Sequence, residues 1–141
     1  MSNLYATLLL KMCSNILISY FLLFFVSSLN AQNNSIKEDE FIQIGGIEQR
    51  VTINGNDKTK PVILFIHGGP GSVLSPYSEN IFGSGKNDFV LVNWDQRGAG
   101  RTFGKNAPDK IDENYWVQNP LTLNQMVEDG IELSKYLINH M

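Results

Sequence analysis

Cysteine occurs once in these 141 residues, at Cys13, so no intrachain disulfide framework is possible. No long run of one charge is present. Lysine and arginine total 11 against 14 acidic residues and are scattered, which leaves no basic patch for nucleic acid. No stretch of about 20 apolar residues occurs; the longest near-continuous run, 16–26, is too short to span a bilayer comfortably. Internal repeats and low-complexity tracts are also missing. Gly-x-Ser-x-Gly, the elbow that carries a serine nucleophile, is absent: Ser72 is flanked at two residues by Pro70 and Leu74, and Ser84 by Phe82 and Lys86. Phosphate loops fail on spacing. Gly71 is followed by Ser72-Val73 rather than Lys and a hydroxyl residue, and Gly98-Ala99-Gly100 has no glycine at 103. No cofactor and no metal site is therefore expected.

What the N-terminus does hold is Lys11, the apolar run 16–26, and then Ser27-Ser28-Leu29-Asn30-Ala31. A positive charge, a short apolar core and small residues are the parts of a secretory signal peptide, expected over 1–31 with export to the periplasm or medium. Its removal would take Cys13 away, and with Lys11 would shift the formal charge from −3 to about −4, leaving no stable membrane span. A polar linker follows over 32–40, and one domain over 41–141.

Residues 41–44 and 47–53 alternate apolar with polar across Gly45-Gly46, which predicts a β-hairpin. The continuous apolar runs 61–66 and 89–94 predict strands covered on both faces, as in a parallel sheet. The segment between them is long enough for a crossover, with Ser75-Pro76 as N-cap and first turn of a short helix. Thr122 with Gln125 has the spacing of a capping box. From there Leu123, Met126, Val127, Ile131, Ser134, Leu137, Ile138 and Met141 recur at three- and four-residue steps, one face of a long amphipathic helix. Hairpin, strand, crossover, strand, helix predicts an α/β fold with parallel strands, and an incomplete one.

Directly after the first buried run comes His67-Gly68-Gly69-Pro70-Gly71, and at the end of the second comes Asp95-Gln96-Arg97-Gly98-Ala99-Gly100-Arg101. A glycine-rich turn at a strand's carboxyl end lets backbone N–H groups face a site that a β-carbon would obstruct. The two motifs together, in this order and spacing, resemble the proline iminopeptidase family of α/β-hydrolases, over roughly 41–141. Thr102 stands where family members usually carry serine.

The resemblance implies an incomplete α/β-hydrolase fold whose second half and lid are not represented in these residues. It also implies a secreted serine hydrolase of aminopeptidase type, acting on the N-terminal residues of peptides or on other small molecules. The backbone N–H of Gly69, with Gly68 as second choice, would be the oxyanion donor. His67 would hold the loop, and Asp95 and Arg97 would form a structural ion pair or loop clamp. Trp94 and Trp116 are read as packing residues, and His140 carries no role. Because nucleophile, acid and base are absent, this chain by itself is expected to be inactive. The alternatives are an epoxide or ester hydrolase of the same fold, and a non-catalytic exported remnant or binding protein.

Overall fold

The computed structural model describes Asn15, residues 34–68 and residues 71–141. The segment read as a signal peptide, together with Gly69 and Pro70, lies outside the described residues. A four-stranded sheet organises the unit Asn34–Met141. Strands β1 (Ile36–Ile44) and β2 (Ile47–Gly55) form the hairpin, with Ile44 paired to Ile47 across the turn. Gly45 and Gly46 close it at φ of 57° and 79°, the left-handed values that a two-residue hairpin turn requires. At Gly45 there is a second reason for glycine: a β-carbon there would lie 1.9 Å from Asp129 Oδ1. β1 starts at Ile36, before the alternation becomes visible at Phe41, because its first residues pair with β2 while leaving polar side chains in solvent.

The remaining elements are β3 (Val62–Phe65), a short helix α1 (Ser78–Phe82) running into a 3₁₀ segment (Gly83–Asn87), β4 (Val90–Asp95), α2 (Gly100–Asn106), α3 (Tyr115–Gln118) and α4 (Leu123–His140). The strand order is β1-β2-β4-β3. This corrects the expected fold class. The sheet is mixed: β1–β2 and β2–β4 are antiparallel and β3–β4 alone is parallel. An α/β-hydrolase arrangement of parallel strands with crossover helices is not what the described residues form. Among the described residues between β3 and β4, the helical elements are a five-residue helix and a 3₁₀ turn.

The apolar runs misled for a physical reason. A continuous apolar strand reports burial on both faces, and any central strand meets that condition whichever way its neighbours run. β4 is that central strand, with all six residues buried between β2 and β3. The equally apolar β3 is an edge strand, and its Val62 is exposed. Ser75 also departs from expectation. It caps no helix, since α1 begins only at Ser78 and its N-cap Tyr77 makes no side-chain cap bond; the Ser75 hydroxyl binds Asp95 instead.

One face of the sheet carries the core. Ile44, Val51, Ile53, Val90, Val92 and Trp94 pack there with Leu133 and Leu137 of α4. Thr122 caps α4 as its spacing predicted, its side chain accepting from the Gln125 N–H at 3.2 Å. The buried residues of α4 are Asp129, Leu133 and Leu137, however, and of these Leu137 alone belongs to the regular apolar stripe legible in sequence. Leu123, Val127, Ile131 and Ile138 of that stripe are exposed. A buried carboxylate at 129 had hidden the inner face.

Candidate functional site

The carboxyl ends of β3 and β4 lie side by side, because the two strands run parallel with Phe65 opposite Asn93. The glycine turn and the Asp-Gln-Arg-Gly segment therefore leave the sheet next to each other. Gln96 ties them together. Its side-chain Nε2 donates to the His67 carbonyl at 2.6 Å, and its backbone N–H donates to His67 Nε2 at 3.3 Å. An accepting Nε2 fixes the neutral imidazole with its proton on Nδ1. His67 thus holds the loop, as the sequence reading had it. Gly68 follows directly and is exposed, with open space where a β-carbon would stand. Gly69, the first-choice oxyanion donor, lies outside the described residues.

Asp95 and Arg97 do not pair with each other; each anchors a different contact. Asp95 is 1% exposed and accepts from the Ser75 hydroxyl at 2.6 Å, the Arg101 N–H at 3.1 Å and Arg50 Nη1 at 3.4 Å. A β-carbon on Gly100 would come within 2.6 Å of the same carboxylate, so the backbone approach needs glycine there. Arg50 continues outward to Asp39, with Nε and Nη2 donating at 2.7 and 2.9 Å. That hydrogen-bonded guanidinium holds the Asp39 carboxyl below the usual carboxylate range.

Arg97 reaches the other way. Its Nε donates to Asp129 Oδ2 at 2.9 Å and its Nη2 to the Gly45 carbonyl at 2.6 Å. Asp129, fully buried, also accepts from Gln49 Nε2 at 2.8 Å and Gln125 Nε2 at 2.9 Å. Gln49 in turn accepts from Trp94 Nε1 at 2.9 Å. Hairpin turn, β4 and α4 are thereby locked behind the loop that holds Gln96. Neither Asp129, Gln49 nor Gln96 was singled out by sequence. An acidic residue on the inner face of an otherwise amphipathic helix was the available signal for Asp129, since a charge there needs a partner.

Thr102 is fully buried, and its hydroxyl is used twice: it donates to the Asp95 carbonyl and accepts from the Arg50 N–H at 2.8 Å. A serine hydroxyl at this position would supply the same two bonds. Thr102→Ser is expected to cost about 1 kcal/mol for the lost methyl. Thr102→Val leaves the Arg50 N–H without its acceptor and is expected to cost about 1–3 kcal/mol. Urea unfolding of the two variants measures both; no loss for Thr102→Val would show that the hydroxyl bonds contribute nothing.

Trp94 belongs to the core, while Trp116 is 44% exposed and stacks on Phe103 with centroids 5.5 Å apart. His140 Nε2 lies 2.8 Å from Glu38 Oε2, joining the end of α4 to β1, far along the helix from the glycine turn.

With this geometry in hand, comparison with known proteins gives a coarse functional class. The chain is similar to the probable aminopeptidase YbaC of Bacillus subtilis (strain 168), 30% identical over 109 residues that make up 77% of this chain. The match spans 31% of the relative, so the chain corresponds to about a third of that protein. No protein-family model and no solved structure matches it. The similarity is to a peptidase-like protein, and it extends no further than that.

Proposed function

We propose that this chain supplies the oxyanion-binding turn of an exported serine aminopeptidase of the proline iminopeptidase type. The observation that carries the reading is the similarity to a probable aminopeptidase over 77% of the chain. The site supports it. When a serine attacks the carbonyl of an N-terminal residue, negative charge develops on the carbonyl oxygen, and preorganised N–H donors stabilise it. Gly69, or Gly68 before it, would offer such a donor just after β3 in sequence, and the Gln96–His67 tie fixes His67, at the start of that turn, beside β4. The turn provides donors only. With no Gly-x-Ser-x-Gly in the sequence, the nucleophile and its acid and base are not among these residues, and the chain assayed by itself is inactive. The export reading rests on Lys11 and the apolar run after it.

A chimera tests the function. Residues 34–141 replace the matched segment of the Bacillus subtilis relative, and release of chromogenic anilide from proline and other N-terminal residues is measured. The expected result is turnover of aminoacyl anilides, falling about 100- to 1,000-fold in kcat when Gly69→Pro removes one donor. Gly68→Ala, which meets open space, should change it by a few-fold at most. An active chimera indifferent to Gly69→Pro would sink the oxyanion assignment. One that hydrolyses esters or epoxides and no aminoacyl anilide would sink the aminopeptidase.

A further inference from the structure

A cavity of about 360 Å³ opens where α2, α3 and the start of α4 meet, and neither His67 nor Gly68 lines it. That volume is at the small end of ligand pockets, which run from roughly 300 to 1,000 Å³. Phe103 of α2 with Tyr115 and Trp116 of α3 makes its aromatic wall. The Trp116 indole stacks on Phe103, centroids 5.5 Å apart, and meets Tyr115 edge-on at 4.9 Å, so the rings hold one another in place. Even with Phe103 against one face, Trp116 is 44% exposed.

The polar wall is fixed in a different way. Asn106, Asn119 and Gln125 line the cavity, and each is held through its amide nitrogen. Asn106 Nδ2 donates to the Glu48 and Thr102 carbonyls, Asn119 Nδ2 to the Tyr115 carbonyl and Gln125 Nε2 to Asp129. Their side-chain oxygens accept from no described residue, and the Tyr115 hydroxyl bonds to none. Arg97 is the one charged residue among those lining the cavity, and Asp129 matches its charge at 2.9 Å. The wall thus offers acceptors and a hydroxyl with no uncompensated charge. An anion finds no spare cation there, and a cation finds no carboxylate. An apolar ligand would strip water from the amide oxygens and return nothing to them. A hydroxyl both donates and accepts, so it can use every one of these groups. A ring with hydroxyls at its rim and C–H groups on its face also suits the open face of an indole.

We propose that this cavity binds a neutral sugar. A pyranose ring stacks on Trp116, its hydroxyls donate to the side-chain oxygens of Asn106, Asn119 and Gln125, and one accepts from the Tyr115 hydroxyl. The site is separate from the glycine turn, and it stands whether or not the aminopeptidase reading does.

The test is titration of the full chain with the methyl glycosides of glucose, galactose, mannose and N-acetylglucosamine. Affinity is read by saturation-transfer NMR on the sugar, and in the native chain also by the indole N–H resonance of Trp116. Saturable binding of at least one glycoside is expected, with a Kd of about 1–10 mM for so small a site. Trp116→Ala should weaken it at least about ten-fold, and Trp116→Phe, which keeps an aromatic face, should recover most of that loss. Tyr115→Phe keeps the ring and loses the hydroxyl, for an expected drop of a few-fold. Val117→Ala, at a position 76% exposed and outside the cavity, should leave binding unchanged. Circular dichroism of each variant confirms that the fold survives. No saturable binding of any glycoside up to about 50 mM, or equal affinity in Trp116→Ala, overturns the sugar site. Benzoate or tetramethylammonium shifting the Trp116 indole where no glycoside does also overturns it, in favour of a charged ligand.

Discussion

Asp129→Ala should destabilise the unit Asn34–Met141 by about 3–5 kcal/mol, the range for breaking a buried ion pair by removing one partner. Its carboxylate is fully buried and accepts from Arg97, Gln49 and Gln125. With it gone, the largely buried Arg97 guanidinium keeps the Gly45 carbonyl and the buried Gln49 amide keeps the Ile44 carbonyl, but each loses the carboxylate. Against a typical total of about 5–15 kcal/mol, the change removes about a fifth or more of the stability. Asp129→Asn keeps oxygen for one donor and loses the charge, and should fall between. The contribution of the pair itself comes from a double-mutant cycle: Asp129→Ala with Arg97→Ala should cost clearly less than the two single changes added. Urea unfolding by circular dichroism checks all of these, and a loss under about 1 kcal/mol for Asp129→Ala would show that the network is not holding α4 to the hairpin turn.

How much of this was legible beforehand differs from element to element. The hairpin and its two-residue turn were readable because alternation and Gly45-Gly46 are local signals. The start of α4 was readable from Thr122 and Gln125 for the same reason. The parallel pairing of runs 61–66 and 89–94 was readable, but the mixed character of the sheet was not, because the antiparallel pairing of β2 with β4 is fixed by contacts distant in sequence. Burial alone could not distinguish the central strand from the edge strand. The glycine turn and the Asp-Gln-Arg-Gly segment were visible as motifs, and that they meet follows from the one parallel pairing. What ties them, Gln96 to His67 and Arg97 to Asp129, spans 29 and 32 residues and pairs uncharged or opposite-charged groups that no local pattern marks. The one clear misreading within a correct element was the face of α4. Its most regular apolar stripe is largely exposed, while the buried side chains are Asp129, Leu133 and Leu137.

That duality sets up a contrast within one helix. Leu133 is fully buried among the core residues of the sheet, so Leu133→Ala removes packed atoms and leaves a cavity; about 2–5 kcal/mol should be lost. Ile138, five residues on, is 79% exposed on the outer stripe, and Ile138→Ala in the same chain should change stability by no more than about 0.5 kcal/mol. Chemical denaturation of the two variants reads both numbers. The order is informative because hydrophobicity alone would rank the two residues alike, and the helical pattern alone would place Ile138 inside and Leu133 outside. If Ile138→Ala proved as costly as Leu133→Ala, the outer stripe would be covered within the fold, contrary to its exposure.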